Sequence, residues 1–205
     1  MERKLTGKVK GLSWLVDNRD LGYKVPAYEV VDSSFYSDVE RQTQIARVAS
    51  VLAKKQFRPS RLPERVGKEV DRIANKMSKK NLIVRSSSVH EDGEHSFAGM
   101  YHSEEVGPAT DKEKVRQGVL NVYDSLNSQK PVNYRREHNI PEDQMEVIIQ
   151  EDIIDPDFSG VMFTSNPSFS GDLTLEFCAG RNRVVEGNVK PYIFDFDKSN
   201  GELVF

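Results

Sequence analysis

Apolar residues recur at helical spacing in three stretches of the chain. Residues 37–55 carry Ile45, Val48, Ala49 and Leu52 on one face, and Ser37-Asp38-Val39-Glu40 fits a capping box at their start. Residues 63–79 carry Val66, Val70, Ile73, Ala74 and Met77, with Pro63 suited to a first helical turn. Residues 110–127 carry Val115, Val119, Val122, Tyr123 and Leu126 behind Thr110-Asp111-Lys112-Glu113, with Gly118 as a weak point inside. Short runs rich in Val, Ile, Phe and Tyr, most of them bounded by Gly, Pro, Asp or Asn, predict strands at 27–32, 81–85, 145–150, 160–164, 173–178, 192–196 and 202–205. Residues 128–144 are polar, contain Pro131 and Pro141, and read as a loop. Helices lie between the early strands and the late part is mostly strand. That pattern predicts an α+β fold with two unequal lobes.

Composition removes several classes. The chain has 205 residues, 30% of them charged, and a mean hydropathy of −0.59. No apolar run approaches the length of a membrane span. One cysteine, Cys178, excludes a disulfide scaffold, and it reads as a small core residue. Met1-Glu2-Arg3-Lys4 opens a polar stretch rather than a secretory signal, so a reducing cytoplasm is the expected compartment. Charge is uneven. Residues 1–80 hold 18 Lys and Arg against 10 Asp and Glu, whereas residues 81–205 hold 11 against 22. A basic first part suits a polyanion, and a solvated basic helix face accounts for the same excess.

Three stretches carry candidate chemistry. In Leu82-Ile83-Val84-Arg85-Ser86-Ser87-Ser88 a buried strand ends in an arginine and three hydroxyls. A guanidinium there offers a fork of donors to a phosphate. Downstream, Ser96-Phe97-Ala98-Gly99 lets a backbone approach a ligand closely, and Ser103 adds a hydroxyl. A surface hairpin with a salt-bridged arginine is the plain reading of the same residues, which form neither a Walker A loop nor a G-x-G-x-x-G turn. Second, Glu146-Val147-Ile148-Ile149-Gln150-Glu151-Asp152-Ile153 runs from an apolar strand into polar residues that can meet a purine edge, or simply a turn. Third, Glu176 stands between Leu175 and Phe177 and points to the face opposite theirs, where it can meet Mg²⁺, a lysine or solvent. His90, His95 and His102 are unevenly spaced and read as loop histidines rather than a metal cluster.

Taken in order, these stretches resemble the N-terminal ATP-binding, ATP-grasp domain of the phosphoenolpyruvate synthase and pyruvate phosphate dikinase family. The resemblance begins at Gly7-Lys8 with Leu12 and Leu15, and continues through Gly22-Tyr23-Lys24-Val25-Pro26. Its most specific run is Val84-Arg85-Ser86-Ser87, Glu91-Asp92 and Ser96-Phe97-Ala98-Gly99. Val161-Met162-Phe163-Thr164 and Val184-Val185-Glu186-Gly187 with Pro191 follow in register. The resemblance implies two lobes around a nucleotide cleft, 1–105 with Lys8, Arg85 and the phosphate loop, and 106–205 with the adenine strand. It implies Lys8 and Arg85 as catalytic cations on the ATP phosphates. Ser96, Ala98, Gly99 and Ser103 match the phosphate loop, and Gln150, Glu151 and Ile153 match the adenine segment. Glu176 matches an acidic position for Mg²⁺.

The chain departs from the family in two places. Gln150-Glu151-Asp152-Ile153 stands where Gln-x-Met-Val is frequent, and Gly180-Arg181-Asn182-Arg183 where Gly-Leu-Gly-Glu is frequent. The family's later acidic pair, its Gln-x-Arg motif and the swivelling domain with the phosphoryl-accepting histidine are expected beyond Phe205, so the lobe reads as incomplete there. The implied activity is ATP to AMP, with a phosphoryl group passed through a histidine on another domain to pyruvate or a similar acceptor. The implied partners are that swivelling domain and an acceptor-binding domain, in the same or another chain. A non-catalytic regulatory or protein-binding module on this fold is the alternative. Nucleic-acid binding through Lys54, Lys55, Arg58, Arg61 and Arg65 ranks below both, since only Phe57 is placed among them for stacking.

Overall fold

The structure is a computed structural model that describes residues 7–52, 61–89, 100–140, 144–164, 173–181 and 189–204, with the backbone alone for residues 46–52. It is α+β and divides into two compact units, residues 1–152 and 153–205.

The first unit is built on a four-stranded antiparallel sheet in the order β1-β4-β2-β3. The strands are β1 (Tyr28–Val31), β2 (Asn81–Ser88), β3 (Ser103–Pro108) and β4 (Met145–Glu151). Side chains alternate across the sheet, so each strand has a core row and an opposite row. Val31, Leu82, Val84, Val106, Val147 and Ile149 form the core rows, and all are buried. Helices α3 (Glu64–Lys76) and α4 (Lys112–Ser125) cover them. The stripes expected in these helices are the ones that bury. Val66, Val70, Ile73 and Ala74 of α3, and Val115, Val119, Val122 and Tyr123 of α4, are at most 1% exposed, with Met77 and Leu126 beside them. The outer face of α3 carries Glu64–Lys68 and Glu69–Arg72 pairs, and Lys76 reaches Glu29 on β1. Lys68, Arg72 and Lys76, three of the early basic residues, thus lie on a solvated helix face with acids beside them.

Several expectations change. The lobe boundary expected at 105/106 falls inside β3, which hydrogen-bonds to β2 and packs under α4, so the compact unit runs on to Asp152. Ile45 of α2 (Tyr36–Leu52) is 64% exposed; Tyr36 and Val39, one turn into the helix, are buried instead. The expected capping box at Ser37 does not form the entry. Asp32 caps a preceding 3-10 turn by accepting from the Ser34 N–H, and the chain runs on into α2. Pro63 is the residue before α3, not its first residue. Residues 129–137, expected as loop, form α5 (Gln129–Glu137), with Pro131 in its first turn. That helix buries only Pro131 and Arg135, whose Nη2 donates to the Leu126 carbonyl at 3.0 Å, so no apolar stripe announces it. Strand β3 is an edge strand with Glu104, Glu105, Gly107 and Pro108, a composition that protects edges and hides them from an alternation test. Residues 202–204 make one isolated bridge, Leu203 to Phe196, rather than a strand.

The cap of helix α4 lies one residue later than expected. Asp111 is the cap, and its carboxylate accepts from the Lys114 N–H at 3.2 Å. Asp111→Ala is expected to lower stability by about 1 kcal/mol and Thr110→Ala to change it little. Urea unfolding of both variants checks the assignment.

The second unit is an antiparallel meander of β5 (Phe158–Phe163), β6 (Leu173–Ala179) and β7 (Tyr192–Phe196). One face carries Phe158, Phe177, Tyr192 and Phe194, with Phe177 and Phe194 stacked at 5.5 Å between centroids. Cys178 is buried on the other face, as expected of a core thiol.

Candidate functional site

The row of the first sheet that does not face α3 and α4 holds Tyr28 on β1, Arg85 and Ser87 on β2, Ser103 on β3, and Glu146, Ile148 and Gln150 on β4. The register fixes this, since Arg85 lies opposite Ser103 and Ile148, Ser87 opposite Glu146, and Gln150 opposite Tyr28 and Ile83. Val30 and Ile83 share this face, which is still more polar than the row under α3 and α4. Helix α1 (Gly7–Asp17) docks on it.

The sequence did not announce α1, because Gly7 and Gly11 dilute its helix signal and its stripe is short. Contact with β2 secures it. The Val9 N–H, one of the helix's orphan donors, is taken by Ser87 Oγ at 3.2 Å. The cap therefore comes from a residue 78 positions away, which no local pattern records. At the far end Asn18 Nδ2 donates to the Trp14 carbonyl, and Gly22 closes the following turn at φ +92°, a conformation that favours glycine. That is the physical reason for Gly22 in the motif leading to Val25-Pro26.

This docking brings two cations to one end of β2. Lys8 Nζ donates to the Ser86 carbonyl at 3.0 Å. Arg85, one residue earlier, is half-buried, and its Nη1 donates to Gln150 Oε1 at 3.0 Å. Ser103, an exposed residue, stands directly across from Arg85. Glu146, buried on the same face, is the carboxylate that the sequence reading left out of the site. It sits at the start of a strand and reads there as an ordinary flanking charge.

The structure does not bring all the expected residues to this face. Glu151 is next in β4, so its side chain falls on the opposite side, where Lys80 Nζ donates to it at 2.5 Å. That bond, and a weaker one from the Ala27 N–H, hold its carboxyl below the usual carboxylate range. Its own N–H is spent on the Ala27 carbonyl at 2.7 Å. The Glu151 side chain therefore lies on the sheet face opposite that of Arg85. Ile153 and Glu176 belong to the second unit. Ile153 is 57% exposed, and Glu176 lies on the face of β6 that carries Thr174 and Cys178. Ser96, Ala98 and Gly99, with His90 and His95, lie outside the described residues. His102 donates its main-chain N–H to Ser125 Oγ and has Nε2 3.5 Å from Glu104. Among the described residues no group of three or more His, Cys, Asp or Glu collects to hold a metal. Of the basic residues considered for nucleic acid, Lys54, Lys55 and Arg58 also lie outside, and Arg65 is held by Asp38 and the ring of Phe35.

A lysine and an arginine one residue apart along a strand, with Ser103 across from the arginine, are donors of the kind a phosphorylated ligand takes. Residues 24–204 match the family described as pyruvate phosphate dikinase, AMP/ATP-binding domain, and the chain belongs to that family. It is similar to the uncharacterized phosphotransferase YvkC of Bacillus subtilis (strain 168), with 35% identity over 132 residues, 62% of this chain and 16% of that protein. It is also similar to a probable phosphoenolpyruvate synthase of Methanothermobacter thermautotrophicus, with 26% identity over 192 residues, 90% of this chain and 28% of that protein. The chain thus spans well under a third of either relative's length. No helix among the described residues is long and apolar enough to cross a membrane.

Proposed function

We propose that this chain is the ATP-binding part of a dikinase-like phosphotransferase with the ATP-grasp architecture. The complete reaction takes ATP to AMP and passes a phosphoryl group through a histidine on another domain to an acceptor such as pyruvate. The observation that carries this reading is the convergence of Lys8 and Arg85, 77 positions apart, on the Ser86 end of β2 in a member of an AMP/ATP-binding family.

The chain's own residues bind and orient. Arg85 presents its fork to phosphate oxygens, and Lys8 adds a point charge beside it. Both stand ready before the charge on the transferred group develops, so they stabilise it without rearranging. Ser103 supplies a hydroxyl to the same ligand, and Ser96, Ala98 and Gly99 keep their proposed place in the phosphate loop. Ile153 and Glu176 keep proposed roles, beside the adenine and on Mg²⁺, that rest on the family resemblance alone. A single carboxylate fits magnesium that arrives on the nucleotide, because that ion takes one or two protein carboxylates plus phosphate and water oxygens. When bound, the ion neutralises and bridges phosphate oxygens.

A thermal-shift titration tests the reading. Mg·ATP is expected to raise the melting temperature progressively, by an amount equivalent to about 2.7 kcal/mol at a hundredfold excess over Kd. Lys8→Ala is expected to shift the titration to higher ATP. A melting temperature that does not move at millimolar Mg·ATP contradicts the proposal.

A further inference from the structure

The resemblance assigns Gln150 to the adenine, and in the structure its side chain also meets Arg85. Gln150 is 5% exposed and its Oε1 accepts from Arg85 Nη1 at 3.0 Å. A guanidinium has donors only, so the amide carbonyl must face it and the NH₂ must turn away. The register explains the reach. Arg85 lies opposite Ile148, and Gln150 is two residues on in the same row, the diagonal neighbour that long side chains span.

We propose that Gln150 is a positioning residue for Arg85, acting on the phosphates through the guanidinium. The proposal rests on the reading that Arg85 meets nucleotide phosphate. A neutral acceptor suits this task. It fixes one arm of the fork and leaves the full positive charge for the ligand, whereas a carboxylate at the same position would hold the arm and cancel the charge. The buried site of Gln150 keeps water from competing for the same arm.

The test is isothermal titration of ATP, GTP and inorganic tripolyphosphate into the chain and into Gln150→Leu and Gln150→Glu. Gln150→Leu is expected to weaken all three, tripolyphosphate by a factor of about ten, the worth of one well-placed hydrogen bond. Gln150→Glu, which keeps an acceptor in place and guards against a folding failure of the leucine variant, is also expected to weaken all three, by neutralising Arg85. In the Arg85→Ala background, Gln150→Leu is expected to add nothing further. A changed ATP-to-GTP preference with tripolyphosphate affinity intact would overturn the proposal and return Gln150 to the base. Unchanged affinities in both variants would overturn it too. Failure of the unmodified chain to bind any of the three would strike the nucleotide reading first, and this proposal with it.

Discussion

Arg85→Ala is expected to weaken ATP binding roughly 10- to 150-fold, the equivalent of about 1.5–3 kcal/mol for hydrogen bonds to a charged group. The change removes the planar fork at the end of β2 and leaves Lys8 alone near Ser86. It also frees Gln150 Oε1, so a modest fall in melting temperature should accompany the loss. Arg85→Lys separates the two contributions. It keeps the charge but cannot present two parallel donors, and its affinity is expected to fall between wild type and alanine. Titration calorimetry at fixed ionic strength reads the effect, and the difference between wild type and alanine should shrink as salt rises. Equal affinity in wild type and alanine would remove Arg85 from the site.

Gly118→Val is expected to destabilise the first unit by about 1–3 kcal/mol, the usual cost of overpacking. Gly118 is a buried residue of α4, where alanine would ordinarily gain about 1 kcal/mol over glycine. Here a Cβ would overlap Cγ1 of Val106 and reach Cγ2 of Val84 at 3.4 Å. Both neighbours are core residues of the sheet, and neither side chain is long enough to swing aside. The missing side chain lets the helix lie close on β2 and β3. Val106→Ala should relieve the clash, so the double variant Gly118→Ala/Val106→Ala is expected to be more stable than the two single effects predict. Denaturant unfolding of the four proteins of this cycle measures the coupling. Additive effects would mean the helix does not sit this close to the sheet.

Gly118 also shows where reading the sequence runs short. As a letter in a helix it is a weakness, and only the sheet beneath explains it. The stripes of α3 and α4 were legible because burial repeats them every third or fourth residue. The apolar strands β2 and β4 were legible as short runs rich in Val and Ile. Strand β2 nevertheless runs on to Ser88, since Ser86 and Ser88 bury their small hydroxyls in the core row without any apolar signature. Helix α1 was hidden because its cap, Ser87, is remote in sequence, and α5 because it buries almost nothing apolar. Among the site residues, Lys8, Arg85, Ser103 and Gln150 fall on one face of one sheet. Glu151, their neighbour in sequence, falls on the other, and the period of two that separates them was already readable from β4. The partner of Gln150 was not readable, because it depends on which strands are adjacent.

The most direct test of the central claim is amide hydrogen exchange of the chain with and without saturating Mg·ATP. The account predicts slowed exchange in residues 7–13 and at the Arg85–Ser88 end of β2, where α1 and the strand meet. Protection confined to the outer faces of α3 and α4, or none at all under conditions where ATP binds, would contradict it.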